Sequence, residues 1–189
     1  CLRRATCSAI DFCPQDTHIA NITAASELCI GSACDANDTE DLDRCCEPII
    51  CTQQPDTSGY TNIINTNLDI SNGIFQATAE CADGYEGTGN VSPCTTSGPY
   101  TLSGCNPIVC TQPTDTTGYT VTETQLSVAS GFSVSVACSG GYGPEPDTDG
   151  PIVQCTSSGP YVLSGCTPCS QEQYSDGNVA CQLKTTGTE

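Results

Sequence analysis

Cys94–Cys105 reads CTTSGPYTLSGC, and Cys155–Cys166 reads CTSSGPYVLSGC. Only two of the ten residues between the cysteines differ. A stretch returning at a fixed place marks a repeat protein, so the repeat is read before any single residue. Working outward, Cys51–Tyr60 aligns with Cys110–Tyr119. Phe75 and Phe132 each stand six residues before the second cysteine of their repeat, and Gly84-Tyr85 and Gly141-Tyr142 follow that cysteine by three and four. The repeats are 51–105 and 110–166, with cysteine spacings of 30, 13 and 11 and of 28, 17 and 11. The length difference falls mostly on 143–150, GPEPDTDG, which reads as an expanded turn.

Composition fixes the class. The chain has 189 residues, 17 cysteines, no Met, no Trp and only 7 Tyr and 3 Phe. Cysteine at that density implies a disulfide scaffold from an oxidising compartment. With so few large apolar side chains, small modules stapled by disulfides are the expected solution, each bridge contributing roughly 2–4 kcal/mol. Four basic residues face 22 acidic ones, a formal charge of −18. Nucleic acid and anionic membranes would be repelled, and acidic partners are disfavoured. Calcium, basic proteins and neutral glycans stay open as ligands. No apolar run approaches the roughly 18–20 residues of a membrane span.

Within the repeats the period is that of strands. Phe132-Ser-Val134-Ser-Val136-Ala-Cys138 places its apolar side chains and the cysteine on one face. Val121–Thr124 and Thr61–Ile63 are β-prone as well, and Gly, Pro, Asn and Asp clusters separate these short runs. Each repeat is expected to be a small twisted β-module around two bridges, one Phe and several Tyr. The whole is expected to be a tandem of small disulfide-rich all-β modules, elongated. The joints Glu47-Pro-Ile-Ile50 and Asn106-Pro-Ile-Val109 read as short semi-rigid linkers, and Cys166-Thr-Pro-Cys169 as a third.

Ahead of the repeats, 1–6 read as the end of an upstream module and 7–46 as a six-cysteine module. The latter is mostly loops, with one short helix over Thr23–Leu28 after Asn21. Its cysteines are Cys7, Cys13, Cys29, Cys34, Cys45 and Cys46, and spacing does not choose among their pairings. Neighbours Cys45 and Cys46 should take different partners, because a bridge between them would be strained. An odd cysteine total leaves Cys1 over. A bridge to a residue upstream of the stretch given is the simplest account, with an intermolecular bridge or a free thiol as alternatives. The sequons Asn21-Ile-Thr23, Asn37-Asp-Thr39 and Asn90-Val-Ser92 are expected N-glycosylation sites.

The repeats resemble the sushi, or complement control, module. Cysteine order and Gly131-Phe-Ser-Val134…Cys138-Ser-Gly-Gly-Tyr142 carry the likeness; Tyr100 and Tyr161 stand where that family has Trp. The resemblance implies first-to-third and second-to-fourth bridges: Cys51 with Cys94, Cys81 with Cys105, Cys110 with Cys155, Cys138 with Cys166. It also implies that the two Tyr fill the core rather than a binding face. The tail 169–189 resembles the start of an ephrin-receptor-like or TNF-receptor-like cysteine-rich repeat, through Tyr174-Ser-Asp-Gly177…Cys181. That likeness implies Cys169 with Cys181. The string of modules is similar in style to multi-module surface proteins of protists and algae.

Little in the chain suggests catalysis. The single histidine, His18, has no G-x-S-x-G beside it anywhere in the sequence. Cys166-Thr-Pro-Cys169 has a redox or zinc spacing, yet it joins modules and its cysteines have partners elsewhere. No metal site is expected. Calcium at Asp35–Asp43 is the best cofactor candidate, with Asp147-Thr-Asp149 a second, although the first fails the calcium-loop template and reads more simply as a solvated acidic loop. The expected function is non-enzymatic: an extracellular or cell-surface structural and adhesive glycoprotein, a piece of a larger filament-forming protein that packs against its own copies. The alternative is the ligand-binding ectodomain of a receptor or complement-like regulator, with an extracellular protein or glycan as ligand.

Overall fold

The computed structural model describes residues 3–8, 12–145, 150–170, 173–175, 177 and 181–183. Cys1 and Asp147–Asp149 lie outside them, as does part of 171–180. The chain is a small, mostly β protein, with eight disulfides among the described residues. It divides into two compact units. Unit 1 takes in the described residues up to Cys81 together with Thr88–Cys105; unit 2 takes in Ala82–Gly87 and the described residues from Asn106 onward.

In unit 1, Tyr60–Asn67 pairs antiparallel with Gln76–Cys81. Two bulges interrupt the ladder, one of them at Asn62, whose φ of 48° is tolerated by a short amide side chain. Cys51–Thr52 runs parallel to Gly98–Pro99. Tyr85–Ser92 pairs with Thr101–Pro107, strands whose residues 85–87 and 106–107 are assigned to unit 2. In unit 2 the same plan recurs: Tyr119–Gln125 with Ser133–Cys138, and Cys110–Thr111 with Gly159–Pro160. The alternation predicted for 132–138 is observed, with Val134, Val136 and Cys138 turned inward. The last ladder is divided here, Tyr142–Pro144 pairing with Cys166–Pro168 and Ile152–Gln154 with Val162–Ser164. The extra residues of the 143–150 turn fall at this division, flanked by Pro144 and Pro151, which have no N–H to continue a ladder.

The Leu-Ser-Gly-Cys ending of each repeat has a steric cause. Gly104 (φ 92°) and Gly165 (φ 90°) are left-handed, and a Cβ on Gly104 would strike the Thr88 carbonyl oxygen. On Gly165 it would lie 2.8 Å from the Gly150 oxygen.

The cores are small and built alike. In unit 1 Ile49, Cys51, Ile70, Cys94 and Tyr100 are buried together, with Phe75 edge-on to Tyr100 at 6.0 Å. In unit 2 Ile108, Cys110 and Tyr161 form the centre, with Phe132 edge-on at 6.2 Å. The joints are therefore not linkers. Ile49 is fully buried while Ile50 is exposed, and Ile108 is buried while Val109 is exposed. A chain with so few aromatics recruits the joint isoleucine into the core, where burying it contributes about 1.5–3 kcal/mol. Cys46–Pro48 is itself a strand, paired antiparallel with His18–Ala20.

The six-cysteine segment differs from expectation in its helix. Ile22–Ala24 makes only one 3-10 turn, capped by Asn21 Oδ1, and Leu28 is extended in a bridge to Thr6. The α-helix is Thr39–Cys45, inside the stretch that reads as an acidic loop. Asp38 caps it by accepting from the Glu40 and Asp41 amides, Glu40 and Asp41 occupy the first turn, and Arg44 lies in the last, 3.2 Å from Glu40. Asp38, Glu40 and Asp41 are helix-starting groups. Cys45 ends the helix and bonds to Cys7, and Cys46 caps it and bonds to Cys13; Cys29 bonds to Cys34.

Candidate functional site: the module joints

Three joints share one design. The amide of Ile49 donates to the Thr17 carbonyl, that of Ile108 to Gly84, and that of Cys169 to Gly141, each at 2.9 Å. A proline precedes each of these donors by one residue, Pro48, Pro107 and Pro168. In the register, Pro48 lies opposite His18 and Pro168 opposite Tyr142, the residues just after the accepting carbonyls. Gly84 (φ 82°) permits the second joint, since a Cβ there would lie 2.7 Å from the Ala129 backbone. The prolines are visible in the sequence; the accepting carbonyls are not, because a carbonyl carries no side-chain signature.

Beside each of the first two joints stands the C-T-T/S-S-G-P-Y loop. The Ile50 amide donates to Ser97 Oγ at 3.2 Å and the Val109 amide to Ser158 Oγ at 3.1 Å. The Ser158 amide donates to Glu86 Oε2 at 3.1 Å. Donation from the Ser158 hydroxyl and amide holds the Glu86 carboxyl below its ordinary range. Unit 1 has a cleft of about 450 Å³, lined by Gln15, Asp16, His18, Ile19, Thr95 and Thr96 among others. His18 Nδ1 lies 2.9 Å from its neighbour's hydroxyl, Thr17 Oγ1.

The bridges of the repeats join Cys51 to Cys94, Cys81 to Cys105, Cys110 to Cys155 and Cys138 to Cys166, and the tail has Cys169 joined to Cys181. Cys166 and Cys169 thus serve different bridges. The Sγ atoms of Cys7, Cys29 and Cys45 lie within 4.8 Å of one another. All three are in disulfides and so present no thiolate to a metal.

In the acidic stretch Asp41 is buried, while Asp35, Glu40 and Asp43 are exposed. Asp35 Oδ1 accepts from the Asn37 amide at 2.9 Å and from its side chain at 3.0 Å, which lowers the Asp35 pKa. Asp41 is 2% exposed and accepts from the Ile30 amide at 2.8 Å and the Asp35 amide at 3.2 Å. Its carboxylate ties the Cys29–Cys34 loop to the helix, a structural role that sequence reading missed. Its only signal is position, the third residue of a helix whose cap is itself hidden among acids. Of the sequons, Asn37 and Asn90 are exposed, with Nδ2 donating to Asp35 Oδ1 and to the Thr88 carbonyl. Asn21 is half-buried, its Oδ1 accepting from the Thr23 amide and hydroxyl.

Tyr100 and Tyr161 are core residues, 0% and 2% exposed. The Tyr161 hydroxyl donates to Glu123 Oε1 at 2.9 Å. The Tyr100 hydroxyl is buried with no partner among the described residues.

Comparison with known protein families, curated protein sequences and solved structures finds no match to this chain. No helix among the described residues is long and apolar enough to cross a membrane.

Proposed function

We propose that this chain is a non-enzymatic, extracellular structural and adhesive protein built of sushi-like modules. The observation that carries the reading is the joint. At three places a module's entering chain is hydrogen-bonded to the turn before it, and at two the entering isoleucine is core. Such joints resist swinging, which suits a part that bears or transmits load. Eight disulfides agree with an oxidising compartment. The exposed Asn37 and Asn90 would carry glycans there, and the partners would be other copies of the protein. Electron microscopy of native, unreduced material tests the role. Regular fibres with a module-sized repeat are the expected result, and isolated particles at all concentrations would refute it.

A second reading, the ligand-binding ectodomain of a receptor or complement-like regulator, is favoured by one observation: the open cleft in unit 1.

A further inference from the structure

The two repeats differ at the loop beside the joint. In repeat 2 the Val109 amide donates to Ser158 Oγ, and the Ser158 amide donates to Glu86 Oε2 at 3.1 Å. In repeat 1 the Ile50 amide donates to Ser97 Oγ in the same way. There the series stops, and the Ser97 amide has no partner among the described residues. The cause is positional. Glu86 stands two residues after Gly84, the carbonyl that receives the Ile108 amide. In unit 1 the receiving carbonyl is that of Thr17, and two residues on stands Ile19, which packs against the core and has no carboxylate to offer. The cleft described above opens beside Ile19, and a smaller one of about 230 Å³ shares Thr95 and Thr96 with it and reaches Ser97.

We propose that the Ser97 amide and hydroxyl form a receptor for one carboxylate side chain on a partner's peptide strand, placed as Glu86 is placed against Ser158. Repeat 2 carries its own occupant; repeat 1 is open to one from outside. Two donors converging on a carboxylate make charge-assisted bonds, roughly twice as strong as neutral ones. His18 lines the cleft and adds an imidazole donor, whereas Asp16 and the net charge of −18 oppose further negative charge. The ligand strand therefore carries a single acid and is otherwise neutral or basic, and raising the salt concentration strengthens its binding if it has no basic residue. This site does not depend on the structural role proposed above.

The test is a titration of the ¹⁵N-labelled, disulfide-intact chain, followed at the Ser97 amide. The probes are the capped peptide Tyr-Glu-Gly, which copies 85–87, its Tyr-Gln-Gly counterpart, and acetate. The expected result is a saturable downfield shift of the Ser97 amide with the Glu peptide, toward the position of the Ser158 amide, and at least several-fold weaker binding for the Gln peptide and acetate. Glu86→Ala removes a half-buried carboxylate and frees the second receptor, so the Ser158 amide should then respond to the Glu peptide as well. An unmoved Ser97 amide, or equal responses to the Glu and Gln peptides, would overturn the proposal. Equal responses to acetate and the Glu peptide would overturn its peptide part.

Discussion

Tyr161→Phe and Tyr100→Phe each remove one hydroxyl from the same place in the two repeats, and their effects should have opposite signs. The Tyr161 hydroxyl donates to the Glu123 carboxylate at 2.9 Å in a nearly closed site. A hydrogen bond to a charged group contributes about 1.5–3 kcal/mol. Glu123 is exposed and regains water when the phenol is lost, so the expected destabilisation lies toward the lower end, about 1–2 kcal/mol. The Tyr100 hydroxyl is buried without a partner, and such a group costs roughly 1–3 kcal/mol. Removing it leaves a void of one oxygen, so Tyr100→Phe should be neutral or stabilising by about 1 kcal/mol. The assay is guanidinium unfolding with disulfides intact, combined with hydrogen exchange read separately over 76–81 and 133–138. Tyr161→Phe should weaken protection over 133–138, and Tyr100→Phe should leave or raise it over 76–81. A neutral Tyr161→Phe, or a Tyr100→Phe as damaging as Tyr161→Phe, would refute the reasoning. The same geometry sets a pH dependence. Burial, then the Glu123 hydrogen bond and charge, push the Tyr161 pKa from 10.0 up to about 12. The neutral phenol is favoured in the fold, so its contribution is intact below pH 10 and is lost as pH rises toward 12. Phenolate absorbance should show a late step near pH 12 that Tyr161→Phe removes.

Three other outcomes follow from the geometry. Asp41→Asn sets an amide against a backbone donor in a closed site and should cost about 1–3 kcal/mol, with hydrogen exchange rising over 29–35. Ile49→Ala should cost about 2–5 kcal/mol and its neighbour Ile50→Ala less than about 0.5, measured by guanidinium unfolding, because one is core and the other exposed. Asp35, Asp56, Asp69, Asp115 and Glu86 are all held below their ordinary values of 3.8 or 4.5, mainly by hydrogen bonds from Asn, Ser or Thr two residues on or, for Glu86, from Ser158. Their contribution is complete above those ordinary values and is lost as pH falls through the lowered ones, so stability should decline on the acid side of about pH 4.

The strands of the repeats are legible in the sequence because side-chain alternation and duplicated cysteine spacings both survive in a short segment. Tyr100 and Tyr161 are legible through their place before the last cysteine. The helix Thr39–Cys45 is hidden because the residues that start it, Asp38, Glu40 and Asp41, are those that would ligate a cation, and composition alone does not separate a cap from a ligand. Ile49 and Ile108 are hidden because Pro-Ile between cysteines resembles a linker; only the shortage of other core side chains betrays them. Thr17, Gly84 and Gly141 act through backbone carbonyls and leave no trace in side-chain chemistry. Ser97 and Ser158 are identical in the repeat, and what separates them, Ile19 against Glu86, lies more than seventy residues earlier in the chain.

Hydrogen exchange of three amides, Ile49, Ile108 and Cys169, in the native disulfide-bonded protein is the most direct measurement of whether the joints are built rather than merely tethered. They donate at 2.9 Å to the carbonyls of Thr17, Gly84 and Gly141 respectively. Protection of all three at the level of the strand amides in 76–81 and 133–138 is the predicted result. Exchange near the open-chain rate at any of them, with the strands still protected, would contradict a load-bearing joint there and return that joint to a flexible linker.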